Sequence, residues 1–213
     1  MQVKYLKSLN KAVDGMKKIS SICWSPNNRR LAVATADRYI HLFDENGNPM
    51  ERFLTKPNIK GQNSYVVRSL QFSSDNQKLA VAQSDNIIFI YKLGLEWNEK
   101  KSIINKYEQS SSVTCMCWPS TRQNEVIFGL AEGKVRIGYI KKQYKSESLY
   151  ETSSYVVSIA ESPNSQYIIS GHLDYSIIRM DIEKKEKIQI IQHTSIPYAL
   201  DWGHHIVAAV IIN

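Results

Sequence analysis

Three groups of residues carry the side-chain types that chemistry needs. Ser170-Gly171-His172-Leu173-Asp174 holds a hydroxyl, an imidazole and a carboxylate, the set a hydrolase uses to activate a serine. Cys115 and Cys117 are two apart, so in an extended strand both thiols point to one face. His204 and His205 are adjacent, so an extended backbone sends them to opposite faces, where they do not readily chelate one ion. None of the three amounts to a site. A zinc centre needs a second ligand pair at Cys-x2-Cys-type spacing, and the chain has none. Cys117 has a counterpart, Cys23, in a repeated motif, which assigns these thiols to packing. No Gly-x-Gly-x-x-Gly or Walker-type loop is present to cradle a phosphate. Gly129 and Gly133 read as turn glycines flanking a hairpin. The expectation is a non-enzyme: no catalytic residue, no metal, no cofactor and no small-molecule substrate.

The serine–histidine–aspartate stretch loses its catalytic reading because it is one copy of a repeated turn. Anchor positions recur at Trp24, Phe72, Trp118, Glu161 and Trp202, which are 48, 46, 43 and 41 residues apart. Each of the first four anchors is followed by an apolar run, such as Arg30-Leu31-Ala32-Val33-Ala34 or Lys78-Leu79-Ala80-Val81-Ala82. An acid in a turn comes next: Asp37, Asp85, Glu132 and Asp174. Six residues after each acid stand Phe43, Tyr91, Gly138 and Met180. A period in the low-to-mid forties is that of a four-stranded propeller blade. Runs such as Ile87-Ile88-Phe89-Ile90-Tyr91 are β-branched and aromatic, bounded by Asp and Asn, and suit strands buried on both faces. Ser25-Pro26-Asn27-Asn28 and Ser73-Ser74-Asp75-Asn76 supply hairpin chemistry.

The predicted architecture is an all-β propeller, incomplete, with about four and a half four-stranded blades across residues 1–213. Each blade has strands a to d in chain order. Residues 1–10 are expected as an outer closing strand. The blades are expected over about 16–55, 65–109, 110–152 and 153–194, with 195–213 starting a fifth. An ending in mid-blade reads as a truncation, because it leaves an unpaired edge.

The pattern resembles WD40 repeats, with the dipeptide kept as Phe43-Asp44 and Met180-Asp181. More specific strings are Ser84-Asp85-Asn86-Ile87-Ile88-Phe89-Ile90-Tyr91-Lys92-Leu93-Gly94, Val113-Thr114-Cys115-Met116-Cys117-Trp118-Pro119 and Pro197-Tyr198-Ala199-Leu200-Asp201-Trp202. These resemble the N-terminal propellers of the intraflagellar transport protein 172 family. That resemblance implies a protein–protein interaction scaffold in the trains of cilia and flagella, soluble and on the cytoplasmic side, including at the basal body. It implies other intraflagellar transport complex B subunits as partners, including a calponin-homology subunit with a coiled coil. The alternative is a generic cytosolic or vesicle-coat WD40 adaptor.

Charge bears on that alternative. With 27 basic against 20 acidic residues the chain carries +7. In a blade, the a–b and c–d connections share one rim. Arg29, Arg30, Lys100, Lys101, Lys141, Lys142, Lys184 and Lys185 fall there, whereas Asp37, Asp85, Glu132 and Asp174 fall on the other. A basic face would suit an acidic partner or an anionic membrane, and otherwise the lysines solubilise edges. Nucleic acid is not expected, because no aromatic interleaving or recognised module accompanies the lysines. No apolar stretch approaches the ~18 residues of a membrane span. With no secretory h-region, the three cysteines read as reduced thiols.

Overall fold

The hairpins begin with a repeated piece of turn chemistry. In Ser25–Arg30 the Asn28 N–H donates to the Ser25 carbonyl (2.8 Å), and Asn28 sits at φ 57°. The same bond and the same left-handed residue recur at Ser73/Asn76 (2.9 Å, φ 61°) and Ser162/Ser165 (2.8 Å, φ 51°). Asparagine tolerates this region better than most residues. Each turn brings strand b back antiparallel to strand a.

The computed structural model describes residues 8, 17–62, 64–142, 145–204 and 207–210, with Gln189 described by its backbone. The first sheet is β1 (Ile19–Trp24), β2 (Arg30–Thr35), β3 (Tyr39–Asp44) and β4 (Pro49–Leu54). The second is β5 (Val67–Phe72), β6 (Lys78–Gln83), β7 (Ile87–Lys92) and β8 (Ser102–Glu108). The third is β9 (Val113–Cys117), β10 (Glu125–Leu130), β11 (Lys134–Tyr139) and β12 (Ser146–Glu151). The fourth is β13 (Val156–Glu161), β14 (Tyr167–His172), β15 (Ser176–Asp181) and β16 (Glu186–Gln192). A two-stranded sheet follows, β17 (Ala199–Trp202) with β18 (Val207–Val210). Each four-stranded sheet is an antiparallel meander in chain order. The first strands β1, β5, β9, β13 and β17 neighbour one another in sequence, so the sheets fan about an axis that these strands line. This is an incomplete propeller. The closing strand expected over 1–10 lies outside the described residues, Ser8 apart. Among the described residues no helix is long and apolar enough to cross a membrane.

The continuous apolar runs have a simple cause. Successive strand side chains point to opposite faces. In β7, Ile87, Phe89 and Tyr91 join the core shared with the first sheet, and Ile88 and Ile90 join the core shared with the third. In β10, Val126, Phe128 and Leu130 pack toward the second sheet, and Ile127 packs toward the fourth. A middle strand between two blades must therefore be apolar at every position. Each such isoleucine or phenylalanine contributes roughly 1.5–3 kcal/mol by leaving water.

Gly129 departs from its expected place. It lies inside β10 rather than in a turn, paired with Cys115 and Val135. A Cβ built there would stand 2.6 Å from Val156 Cγ1 and 2.9 Å from Cys115 Sγ. The glycine is required by the close approach of β13, not by backbone freedom. Gly133 is the turn glycine, at φ 90°.

Candidate interaction site

The repeat acids Asp37, Asp85, Glu132 and Asp174 all lie in b–c turns, where they accept hydrogen bonds from their own surroundings. The Thr35 hydroxyl donates to Asp37 at 2.6 Å, and the Asn58 N–H donates to Asp85 at 3.1 Å. The Ser110 hydroxyl donates to Glu132 at 2.7 Å, and Ser176 donates its hydroxyl (2.7 Å) and its N–H (3.2 Å) to Asp174. The Ser110 and Lys134 bonds hold the Glu132 carboxyl below its ordinary range. Burial works to raise Asp174, but the bonds from Ser176 and Ser154 outweigh it and hold the carboxyl low. The residue after each acid is left-handed: Arg38 (φ 73°), Asn86 (φ 63°), Gly133 (φ 90°) and Tyr175 (φ 70°). The carboxylates are thus turn supports.

Ser170 and His172, at the end of β14, are fully buried. His172 Nε2 lies 2.9 Å from the Ser170 hydroxyl and 3.3 Å from the Tyr150 hydroxyl, which also bonds Ser170. His172 Nδ1 lies 3.2 Å from the Ser154 carbonyl, which only accepts, so Nδ1 carries the proton and Nε2 accepts. The Ser154 carbonyl occupies the place that a triad carboxylate would take, while Asp174 bonds Ser176 instead. No reactant reaches a hydroxyl with no exposed surface. The pair is a polar tie between the third and fourth sheets, through Tyr150. Sequence reading took this stretch only as a turn. The missed signal is that the same b-strand position is buried in each four-stranded sheet, as Thr35, Gln83, Leu130 and His172.

This tie predicts a pH dependence. Burial presses the His172 pKa below 6.5, against the opposing Ser154 carbonyl and Asp174, with Lys187 adding to the fall. As pH falls the unfolded chain binds the proton first. The stability contribution is therefore complete above pH 6.5 and is lost progressively below it. Each unit of difference is worth about 1.4 kcal/mol. Between pH 6.5 and 5 the unfolding free energy should decline, and His172→Gln should flatten the slope to what the other groups, His41 included, contribute. An unchanged slope in that variant would assign the effect elsewhere.

Of the cysteines in β9, Cys117 is buried and Cys115 half-buried. Burial pushes the Cys115 thiol up to about 11 and raises Cys117 well above its ordinary value. Neither is a thiolate at neutral pH. Among the described residues no three His, Cys, Asp or Glu side chains gather as a metal-binding group.

On the a–b and c–d rim the basic residues divide. Arg29, Lys100, Lys141 and Lys184 are exposed. Lys142 lies 4.5 Å over the Tyr139 ring. Lys101 donates to Glu51 at 2.8 Å, and Lys185 donates to Glu147 at 2.5 Å. Arg30 is 7% exposed and turned inward: its guanidinium donates to the Gly94 (3.0 Å) and Leu95 (2.5 Å) carbonyls and lies 4.6 Å over the Trp97 ring. It is a clip between the first two sheets, not a surface cation. Sequence position alone placed all eight together on one rim, but ion pairs and burial take Arg30, Lys101 and Lys185 into the structure's own contacts.

The fold and both rims bear comparison with known proteins. The family model "Anaphase-promoting complex subunit 4 WD40 domain" matches residues 7–61, and "WD domain, G-beta repeat" matches 54–92. Intraflagellar transport protein 172 of Chlamydomonas reinhardtii is 45% identical over 219 residues, covering 98% of this chain and 12% of the relative. The Homo sapiens homolog is 42% identical, with 98% and 12% covered. The chain belongs to the intraflagellar transport protein 172 family. Intraflagellar transport protein osm-1 of Caenorhabditis elegans is 44% identical, covering 96% of the chain and 12% of the relative. The chain thus spans 12% of the length of these curated relatives.

Within this chain, the fourth blade differs from the others on the b–c rim. The first residue of each b–c turn donates its N–H to the residue ahead of strand a or at its base. These pairs are Ala36/Lys18, Ser84/Val66, Ala131/Ser112 and Leu173/Tyr155. Only in the fourth are both members large and non-charged, and both are exposed. Tyr175 stands exposed beside them, where the other blades place Arg38, Asn86 and Gly133.

Proposed function

We propose that the chain is a non-catalytic protein–protein interaction scaffold of intraflagellar transport, acting in cilia and flagella as part of a complex B subunit needed for assembly and movement of the trains. The observation that carries it is the 42–46% identity to intraflagellar transport proteins across nearly every blade. The chemistry supports the same reading: Ser170 and His172 are sealed in the core, and burial raises the Cys115 and Cys117 thiols. A stack of blades offers rigid rims, which limits the entropy lost on docking. The partners proposed are other complex B subunits, among them the calponin-homology subunit with a coiled coil.

The test is isolation from ciliated-cell lysate with residues 1–213 as bait beside the longer protein, with complex B subunits identified by mass spectrometry. Capture by both supports the reading and puts a contact within these blades. Capture by neither overturns it and leaves the generic adaptor.

A further inference from the structure

Tyr155, Leu173 and Tyr175 are exposed residues on the b–c rim of the fourth blade, neighbours along its backbone. The Leu173 N–H bonds the Tyr155 carbonyl at 3.0 Å, and the Tyr175 carbonyl accepts from His193 at 2.9 Å. The three are 41%, 48% and 44% exposed. Tyrosines concentrate binding energy at protein interfaces. Tyr175 pays for its place in backbone strain, since a bulky residue at φ 70° is uncommon and a glycine does the same task at Gly133.

The chain itself indicates what these rings accept. Arg52, Arg38, Lys142, Lys187 and Arg179 lie over Tyr39, Tyr65, Tyr139, Tyr150 and Tyr167 at 4.3–5.3 Å. Among the described residues no cation of this chain lies over Tyr155 or Tyr175. Between them stands Asp174, exposed and held charged by Ser176. A guanidinium from outside would find two exposed tyrosines and a carboxylate, with Leu173 to cover its aliphatic stem.

We propose that Tyr155, Leu173, Asp174 and Tyr175 form a docking patch for an arginine-bearing segment of a protein partner. This rests on the scaffold reading and names its contact. The test places a photo-crosslinking benzoylphenylalanine at Leu173 of the full-length protein in ciliated cells, and maps the cross-linked peptides by mass spectrometry. The expected product joins Leu173 to another protein, within a few residues of an arginine. Tyr175→Gly should cut its yield about tenfold while raising the melting temperature by about 2 °C, because it relieves strain. A residue with a merely structural role would lower both. Tyr155→Ser should also cut the yield. Cross-links confined to the same polypeptide, to segments lacking arginine, or unchanged by Tyr175→Gly would overturn the proposal. Continued co-purification of complex B subunits in that case would leave the scaffold reading standing. Loss of co-purification from the unsubstituted protein would strike the scaffold reading itself.

Discussion

Gly129→Val should destabilise the chain by about 3 kcal/mol, the upper end of what overpacking a well-filled core costs. Three observations fix the sign. Gly129 is held in the ladder on both sides, by Cys115 in β9 and Val135 in β11, so β10 has little room to slide. A Cβ there meets Val156 Cγ1 at 2.6 Å, Val156 Cβ at 2.8 Å and Cys115 Sγ at 2.9 Å. Val156 is itself fully buried at the start of β13, so it has nowhere to turn. The valine would push the third and fourth sheets apart along their shared core. In a chain of this size the loss corresponds to a melting temperature lower by roughly 6–12 °C. Gly61→Ala is the comparison: no atom lies within 4 Å of its Cβ, and only its φ of 90° opposes a side chain, at a cost of about 1 kcal/mol. Equal melting of the two variants would show that the sheets are not in the contact described.

The contrast between these glycines explains what was legible in the sequence. The repeat was readable because every blade solves the same local problem. A polar a–b turn, an apolar b strand and an acid in the b–c turn are each set by short-range chemistry. Gly129 was not readable that way. Its neighbour Gly133 lies four positions on in a genuine turn, and only the approach of another blade distinguishes the two. His172 was hidden for the same reason: its partner Tyr150 belongs to the preceding sheet. Among the candidate surface residues, the turn acids stood where the repeat put them, because their partners are mostly within or beside the turn. The basic residues did not share one fate. A lysine or arginine on a rim is either a solvated cation or an inter-blade clip, and the choice depends on a loop dozens of positions away.

Arg30 is the clearest such clip, and its loss should be large. Arg30→Ala should cost about 3 kcal/mol, from two hydrogen bonds made by a charged donor and a stacked ring contact. The bonds run from the end of one a–b turn to residues 64 and 65 positions later, Gly94 and Leu95, in the c–d loop of the second blade. That loop has further ties, with Glu99 accepting from Glu96 N–H at 2.7 Å and Glu51 accepting from Asn98 N–H at 3.2 Å. Without the guanidinium, the Gly94 and Leu95 carbonyls lose their donor and one face of Trp97 opens to water. Amide hydrogen exchange over 93–101 should therefore quicken while the β6–β7 ladder keeps its protection. Trp97 emission, obtained by difference against Trp97→Phe, should shift to the red. Arg30→Lys should recover little, because an ammonium cannot fork to two carbonyls or lie flat on the indole. The same device recurs between the third and fourth blades. There Arg122 Nε donates to the Ser165 carbonyl at 3.1 Å and Nη2 pairs with Glu183 at 2.9 Å. Arg122 is more exposed, so Arg122→Ala should cost clearly less. Equal losses at the two positions would mean that burial of the guanidinium does not set the strength of these clips.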